Sequence, residues 1–222
     1  MSLSRFAFTD RYAAGEALGR ILRRACLLDP LVLGIPRGGV PVAAVVAHAI
    51  RGELDVVVAE KLCAPDAPDL ALGAVAADGT VCWNADVLAA LGLCPSRFAL
   101  ERELRSREAA ARACELRAGL PARSLAGRDV VVVDDGIATG ATLRAALRSV
   151  ARAHPARLVA AAPVGSPDAC RALRLEFPEM LCLHEPEPFL SVGACYARFP
   201  EVEDEEVVRL LRAHLPHLAL KN

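Results

Sequence analysis

The sequence predicts an α/β fold, a central, mostly parallel sheet flanked by helices, and three observations predict it. Short apolar stretches alternate with longer amphipathic or alanine-rich ones. The strand candidates are near-continuous in Val, Leu and Ala, as expected of strands covered on both faces. Three of them run into the loops PRGG, EK and DDGIATG, and sheets of this kind bind ligands beyond the carboxyl ends of their strands.

Residues 11–25 read as an amphipathic helix. LVLGI (31–35) is a short buried strand ending in PRGG, and a helix follows to about residue 50. LDVVVA (54–59) is a second strand. Residues 61–73, with Pro65 and Pro68, read as a loop, and short strands fit 74–76 and 81–83. Residues 96–118 form a strongly charged helical pattern. Ser96 is its candidate cap, arginines and glutamates pair at helical spacing, and most of it reads as a solvated surface helix. A strand at 129–133 leads through a loop to a helix at 140–152. A strand at 156–164, a helix at 167–175 and a last strand at 180–184 complete the set. No repeat, low-complexity segment or linker interrupts the chain, so its 222 residues read as a single domain.

Composition narrows the function. The formal net charge is −1, which argues against a nucleic-acid partner recruited by bulk charge. Among 26 basic residues only Lys61 and Lys221 are lysines. None of the eight cysteines forms a Cys-x-x-Cys pair, which argues against a zinc ribbon or a thioredoxin-like site. Cys182 and His184 could both touch a metal, but no second ligand pair follows, and they read as a strand thiol beside a loop histidine. Scattered free thiols suit a reducing cytoplasm. The opening MSLSRFAFTDR has no apolar signal core, and the longest apolar run, 40–50, is broken by Pro41 and His48 and is too short to span a bilayer. These features predict a soluble, cytoplasmic protein with no membrane partner. His214 and His217, either side of Pro216, read as surface residues.

The most informative stretch is VVVVDDGIATGAT, residues 130–142. Paired carboxylates at a strand end can accept hydrogen bonds from neighbouring hydroxyls or hold a metal through oxygen. The loop that follows carries no basic residue, but its amides and the dipole of the next helix favour an anion. Gly140 lets the backbone approach closely, and Thr139 and Thr142 add hydroxyls. One edge of the ligand is therefore polyhydroxylic and the other anionic, as in a 5-phosphorylated ribose. A P-loop would need lysine after the last glycine, where Ala141 and Thr142 stand, and G-x-G-x-x-G is absent. A phosphohydrolase with an aspartate nucleophile would separate its two acids by one residue.

This run resembles the phosphoribosyl-pyrophosphate (PRPP) signature of the type I phosphoribosyltransferase family, with Gly136 where that signature usually has an aliphatic residue or serine. FTDRYAAGEALGRIL, VLGIPRGGVPVA, APDAPDLALGAVA, GRDVVVVDDGIATGATLRAAL and VGACYARF extend the resemblance over most of the chain, towards a little-characterised bacterial branch. The resemblance implies that fold, with a core of about 28–185 and a small hood from about 1–27 and 186–222. It implies transfer of the 5-phosphoribosyl group of PRPP to a base with release of pyrophosphate, dependent on Mg2+. The alternative is a non-catalytic PRPP- or nucleotide-binding regulator of the same fold.

By the same resemblance, Asp134 and Asp135 take the ribose 2- and 3-hydroxyls, with Mg2+ nearby, and Ala138, Thr139, Gly140, Ala141 and Thr142 wrap the 5-phosphate. Arg37, Gly38 and Gly39 form a pyrophosphate loop, often built on an unusual peptide bond. Lys61 is a second pyrophosphate contact, and Glu60 stands where the branch has arginine. Phe189 and Leu190, with Tyr196, are candidates to stack on the acceptor. The strand at 156–164 has no lysine, and Ala197 or Arg198 replaces an acidic residue, so 6-oxopurine recognition is not favoured. Residues 62–72 and 96–118 are candidate closing segments, and a homodimer is an expected assembly.

Overall fold

The computed structural model describes residues 6–64 and 67–214. Helix α1 (Arg11–Leu22) starts at Asp10, whose carboxylate accepts from the Ala13 N–H at 3.0 Å, an ordinary N-cap. Strand β1 (Leu31–Gly34), helix α2 (Gly39–Ile50) and strand β2 (Glu53–Val56) follow. Further along, strand β6 (Asp129–Val133), helix α5 (Ala141–Ala151), strand β7 (Arg157–Val164), helix α6 (Pro167–Glu176) and strand β8 (Met180–His184) repeat the alternation. The five strands form one parallel sheet in the order β2-β1-β6-β7-β8.

That order places the site. From β1 the chain steps outward to β2, and from β6 it steps the other way, to β7 and β8. Neighbours whose connections diverge open a crevice at their carboxyl ends. The four valines of β6 serve both layers: Val131 and Val133 pack with α2, and Val130 and Val132 with α5 and α6. All four are fully buried, so the end of β6 is fixed from both faces.

The middle of the chain departs from expectation. The stretch expected as one strand over 54–59 splits between β2 and a new strand, β3 (Ala59–Ala64). With β4 (Ala67–Ala76) and β5 (Val81–Trp83), β3 forms a separate antiparallel sheet. The expected loop at 61–73 is therefore mostly strand. Leu72, Ala74 and Ala76, at strand spacing, are fully buried, and this burial outweighs the nearby prolines. Glu60 and Lys61 accordingly lie within β3, not at the end of a sheet strand. Helix α3 (Ala85–Ala90) follows, and then a 3-10 turn, Pro95–Phe98, leads into α4 (Ala99–Arg117). Ser96 does not cap α4; its hydroxyl lies 3.1 Å from the Cys94 thiol. Nor is α4 only a surface helix, since Ala109, Ala113 and Leu116 bury one stripe of it.

Helix α7 (Asp204–Ala213) closes the fold against α2 and α4. Just past it His214 is partly buried, its ring nitrogens 2.9 Å and 3.1 Å from the Leu210 and Ala44 carbonyls, rather than on the surface. His217 lies outside the described residues. No helix among the described residues is long and apolar enough to cross a membrane.

Candidate active site

The loops after β1 and β6 meet in the crevice. Beyond β1 the Ile35 N–H donates to the Val133 carbonyl at 2.9 Å, so pairing with β6 continues to the loop. The Pro36–Arg37 peptide is cis. Gly38 and Gly39 then pass against the acid pair. A Cβ on Gly38 would lie 1.9 Å from Asp135 Oδ2, and one on Gly39 would lie 2.7 Å from the Val133 carbonyl oxygen. Neither position has room for a side chain, which is why the two backbones can touch.

Asp134 is set by the sheet, its N–H donating to Ala161 at 3.2 Å, and its Oδ1 accepts from the Asp135 N–H at 2.9 Å. Burial, and next the charge of Asp135, pushes the Asp134 carboxyl well above the usual carboxylate range. Burial also raises Asp135, against the pull of a hydrogen bond from Arg11. That arginine, at the start of α1, donates from Nε to Asp135 Oδ2 at 2.8 Å and from Nη1 to the Pro200 carbonyl at 2.6 Å. Its guanidinium carbon lies 3.7 Å from the centre of the Phe199 ring. Tyr196 completes the support: its hydroxyl donates to the Asp135 carbonyl at 2.6 Å, and burial followed by the Asp135 charge pushes its pKa up.

The loop beyond the acids is anchored at one residue. The Ile137 N–H donates to Val164 at 2.9 Å, its carbonyl accepts from Ser166 at 2.8 Å, and its side chain is buried. Ala138 and Thr139 are exposed, and Gly140 takes φ 76° to turn the chain into α5. Gly136 has a spatial cause. A Cβ there would lie 2.3 Å from Cγ1 of Val192, so Val192 fills the space that a larger residue at 136 would occupy.

On the anion side, Arg37, Lys61 and Thr142 converge on a cavity of about 590 Å³, together with Glu60, Arg105 and Arg112. The two α4 arginines were not foreseen; their seven-residue spacing, which puts both on one helix face, was the available signal. Arg37 is engaged by Glu201, with Glu203 at 3.7 Å, and Arg112 by Asp204. Burial, then the charge of Glu108, raises the Glu60 carboxyl, against the pull of Arg105 and Arg112.

A second cavity, about 520 Å³, opens beside Asp135 and is lined by Arg11, Val192, Phe199 and Glu201 among others. The expected stacking residues do not line it. Tyr196 is buried and Phe189 packs on the same small cluster, while Leu190 is 80% exposed. Phe199 lines this cavity and stacks on Tyr196 with ring centres 5.0 Å apart. A larger recess of about 740 Å³, lined by Arg23, His48, Arg51 and His214, contains none of these residues.

Comparison with known proteins bears on the family and the fold. Residues 13–177 match the phosphoribosyl transferase domain family. Two Mycobacterium tuberculosis proteins, from strains CDC 1551 / Oshkosh and H37Rv and each named "Putative phosphoribosyl transferase", are 42% identical over 209 residues. The match covers 93% of this chain and 47% of theirs, so the chain spans about half the length of these relatives. The crystal structure of TT1426 from Thermus thermophilus superposes with a TM-score of 0.80 at 40% identity, covering 95% of this chain and 100% of that one. The AQ2163 protein of Aquifex aeolicus shares the fold alone, with a TM-score of 0.52 at 14% identity over 87% of this chain and 90% of its own.

Proposed function

This chain belongs to the phosphoribosyl transferase family, and we propose that it transfers the 5-phosphoribosyl group of PRPP to a nitrogenous acceptor with release of pyrophosphate. One observation carries the reading: Asp134 and Asp135 stand at the end of β6 in direct contact with Gly38 and Gly39, between a helix N-terminus and a basic cavity. In this reading the two acids accept hydrogen bonds from the ribose 2- and 3-hydroxyls. The amides of Ala138 to Thr142 and the dipole of α5 hold the 5-phosphate. The Gly38 and Gly39 amides, Arg37 and Lys61 hold the pyrophosphate, with Arg105 and Arg112 as a further wall.

Breaking the bond from C1 to pyrophosphate leaves positive charge on the ring and negative charge on the departing group. The residues act by position and field: carboxylates sit under the sugar, and cations surround the leaving group. The donor set also suits Mg2+. The paired carboxylates offer hard oxygens at one strand end, and Arg11 donates to one of them, Asp135 Oδ2. When bound, Mg2+ would offset charge on the pyrophosphate and on the ribose oxygens. The acceptor enters the cavity beside Asp135, against Phe199. Within the described residues, 6–27 and 186–214 act as one hood over the core, and the pairing of Phe8 with Tyr196 joins the two halves. The partners are small molecules, and the site of action is the cytoplasm.

Pyrophosphate release tests the reading. The protein, PRPP and Mg2+ are incubated with purines, pyrimidines and small amines, and at least one acceptor should release pyrophosphate. Calorimetric binding of PRPP with no turnover across the panel would make the chain a regulatory binding protein. Absence of PRPP binding, or release of phosphate in place of pyrophosphate, would overturn the proposal.

A further inference from the structure

We propose that Cys170, Cys182 and Glu185 form a zinc site at the seam between α6 and β8, apart from the transfer chemistry. One ligand atom of each residue lies within 4.8 Å of the other two. Four tetrahedral ligands at zinc–sulfur distances of about 2.3 Å sit about 3.8 Å from one another, so the cluster needs only slight contraction. The sequence offered Cys182 beside His184 with no second ligand pair; α6 supplies Cys170, and Glu185, directly after β8, joins the cluster in place of His184.

The surroundings are shaped for the thiols. Gly165 faces them, and a Cβ there would lie 2.4 Å from Cys170 Sγ and 3.2 Å from Cys182 Sγ. Arg174, one turn beyond Cys170 on α6, donates to both Glu185 oxygens, at 3.2 Å from Nη1 to Oε2 and in a shorter contact from Nη2 to Oε1. Ligating carboxylates are usually held by outer hydrogen bonds of this kind, here from Arg174. The charges also close: two thiolates and a carboxylate give −3, Arg174 adds +1, and a divalent cation brings the sum to zero.

Paired thiolates select zinc over magnesium. Three protein ligands leave one tetrahedral position for water, on the side of the partly exposed Glu185. Gly165 also pairs with Ile137, so the metal would tie α6 to β8 directly beneath the anchor of the 130–142 motif.

The 222-residue chain, kept reduced with a phosphine, is loaded with zinc chloride, desalted and analysed by elemental mass spectrometry. We expect a single zinc ion per chain. Cobalt(II) in its place should give a thiolate-to-metal charge-transfer band and tetrahedral visible bands. Glu185→Gln keeps both thiols and should weaken zinc at least about 10-fold. The double variant Cys170→Ser/Cys182→Ser should lose the stoichiometric ion, and Cys26→Ser, at an exposed remote thiol, should keep it. Wild type that retains no zinc, or zinc held equally by wild type, Glu185→Gln and the double serine variant, overturns the proposal. Neither result depends on phosphoribosyl transfer.

Discussion

Replacing Arg11 with methionine tests the centre of the site. Methionine keeps an unbranched apolar stem against Phe199 and removes the charge and both donors. Arg11 and Asp135 are 2.8 Å apart with side chains only 9% and 14% exposed, and breaking so enclosed a pair from one side costs about 3–5 kcal/mol. The orphaned carboxylate can limit that loss by taking a proton. Measured from its unfolded-state pKa near 3.9, neutralising it at pH 7 costs about 1.4 kcal/mol per pH unit, about 4 kcal/mol in all. The lost bond to the Pro200 carbonyl adds about 1 kcal/mol. We expect Arg11→Met to destabilise the fold by about 3–5 kcal/mol at pH 7. The pH dependence has a fixed sign. In the variant the folded-state pKa of Asp135 rises further above its unfolded value, so the deficit is complete above the variant's folded pKa and fades as pH falls to the wild-type folded value. Between pH 7 and pH 5 it should shrink by up to about 2–3 kcal/mol. Urea unfolding of both proteins at the two pH values, followed by circular dichroism, measures this. A loss at pH 7 below about 1 kcal/mol, the size of an exposed ion pair, or equal losses at pH 7 and pH 5, would refute the argument.

Other substitutions probe the remaining contacts. Asp134 has a raised folded-state pKa, so its contribution worsens as pH rises through that value; Asp134→Asn should stabilise the fold at pH 7 by on the order of 1 kcal/mol while calorimetry shows PRPP affinity lost. By the same shift, PRPP affinity of the wild type should fall as pH drops through the Asp134 folded-state value, and a flat titration curve from pH 8 to pH 5 would contradict a role for its charged form. Gly136→Ala should cost about 1–3 kcal/mol in thermal unfolding through its collision with Val192, and Gly136→Ala/Val192→Ala should recover part of that; a double variant no better than the single one would show that the two sites do not share the space. Gly38→Ala pushes the loop off Asp135 and should abolish PRPP binding with the fold retained, as read by calorimetry beside far-ultraviolet circular dichroism.

What the sequence made legible was local. Strand β6, the acid pair and the turn into α5 lie within one continuous stretch, where apolar run, carboxylates and glycine each report on their own neighbours, and the structure has the strand and helix where they were expected. Arg11 was invisible for the opposite reason: its partner is 124 residues away, and an arginine near the start of an amphipathic helix looks like any solvated one. The same distance hid the reason for Gly136, since Val192 reaches it only after the C-terminal segment has folded back. In the middle of the chain two local signals misled. Prolines near residues 65–68 argued for a loop, although the burial of Leu72 and Ala74 fixed a strand, and alanines among charges concealed the buried stripe of α4 because a small side chain contributes little to a hydrophobic pattern.

The misread hairpin still reaches the crevice. Moving Glu60 and Lys61 from a sheet end into a hairpin changes their strand, but the hairpin lies across α5: Ala74 and Cys82 pack on Ala145. That packing carries Lys61 back to the wall it shares with Arg37 and Thr142. The crevice depends on β1 and β6 being neighbours with diverging connections, a property of strand order, and many arrangements of the covering segments would preserve it. The covering segments decide the charge instead. Arg105 and Arg112 from α4, and Glu201, Glu203 and Asp204 around the start of α7, set how much positive field the cavity keeps. Selectivity within this chain should therefore respond to substitutions in α4 and residues 199–204, whereas donor binding should respond to the two loops.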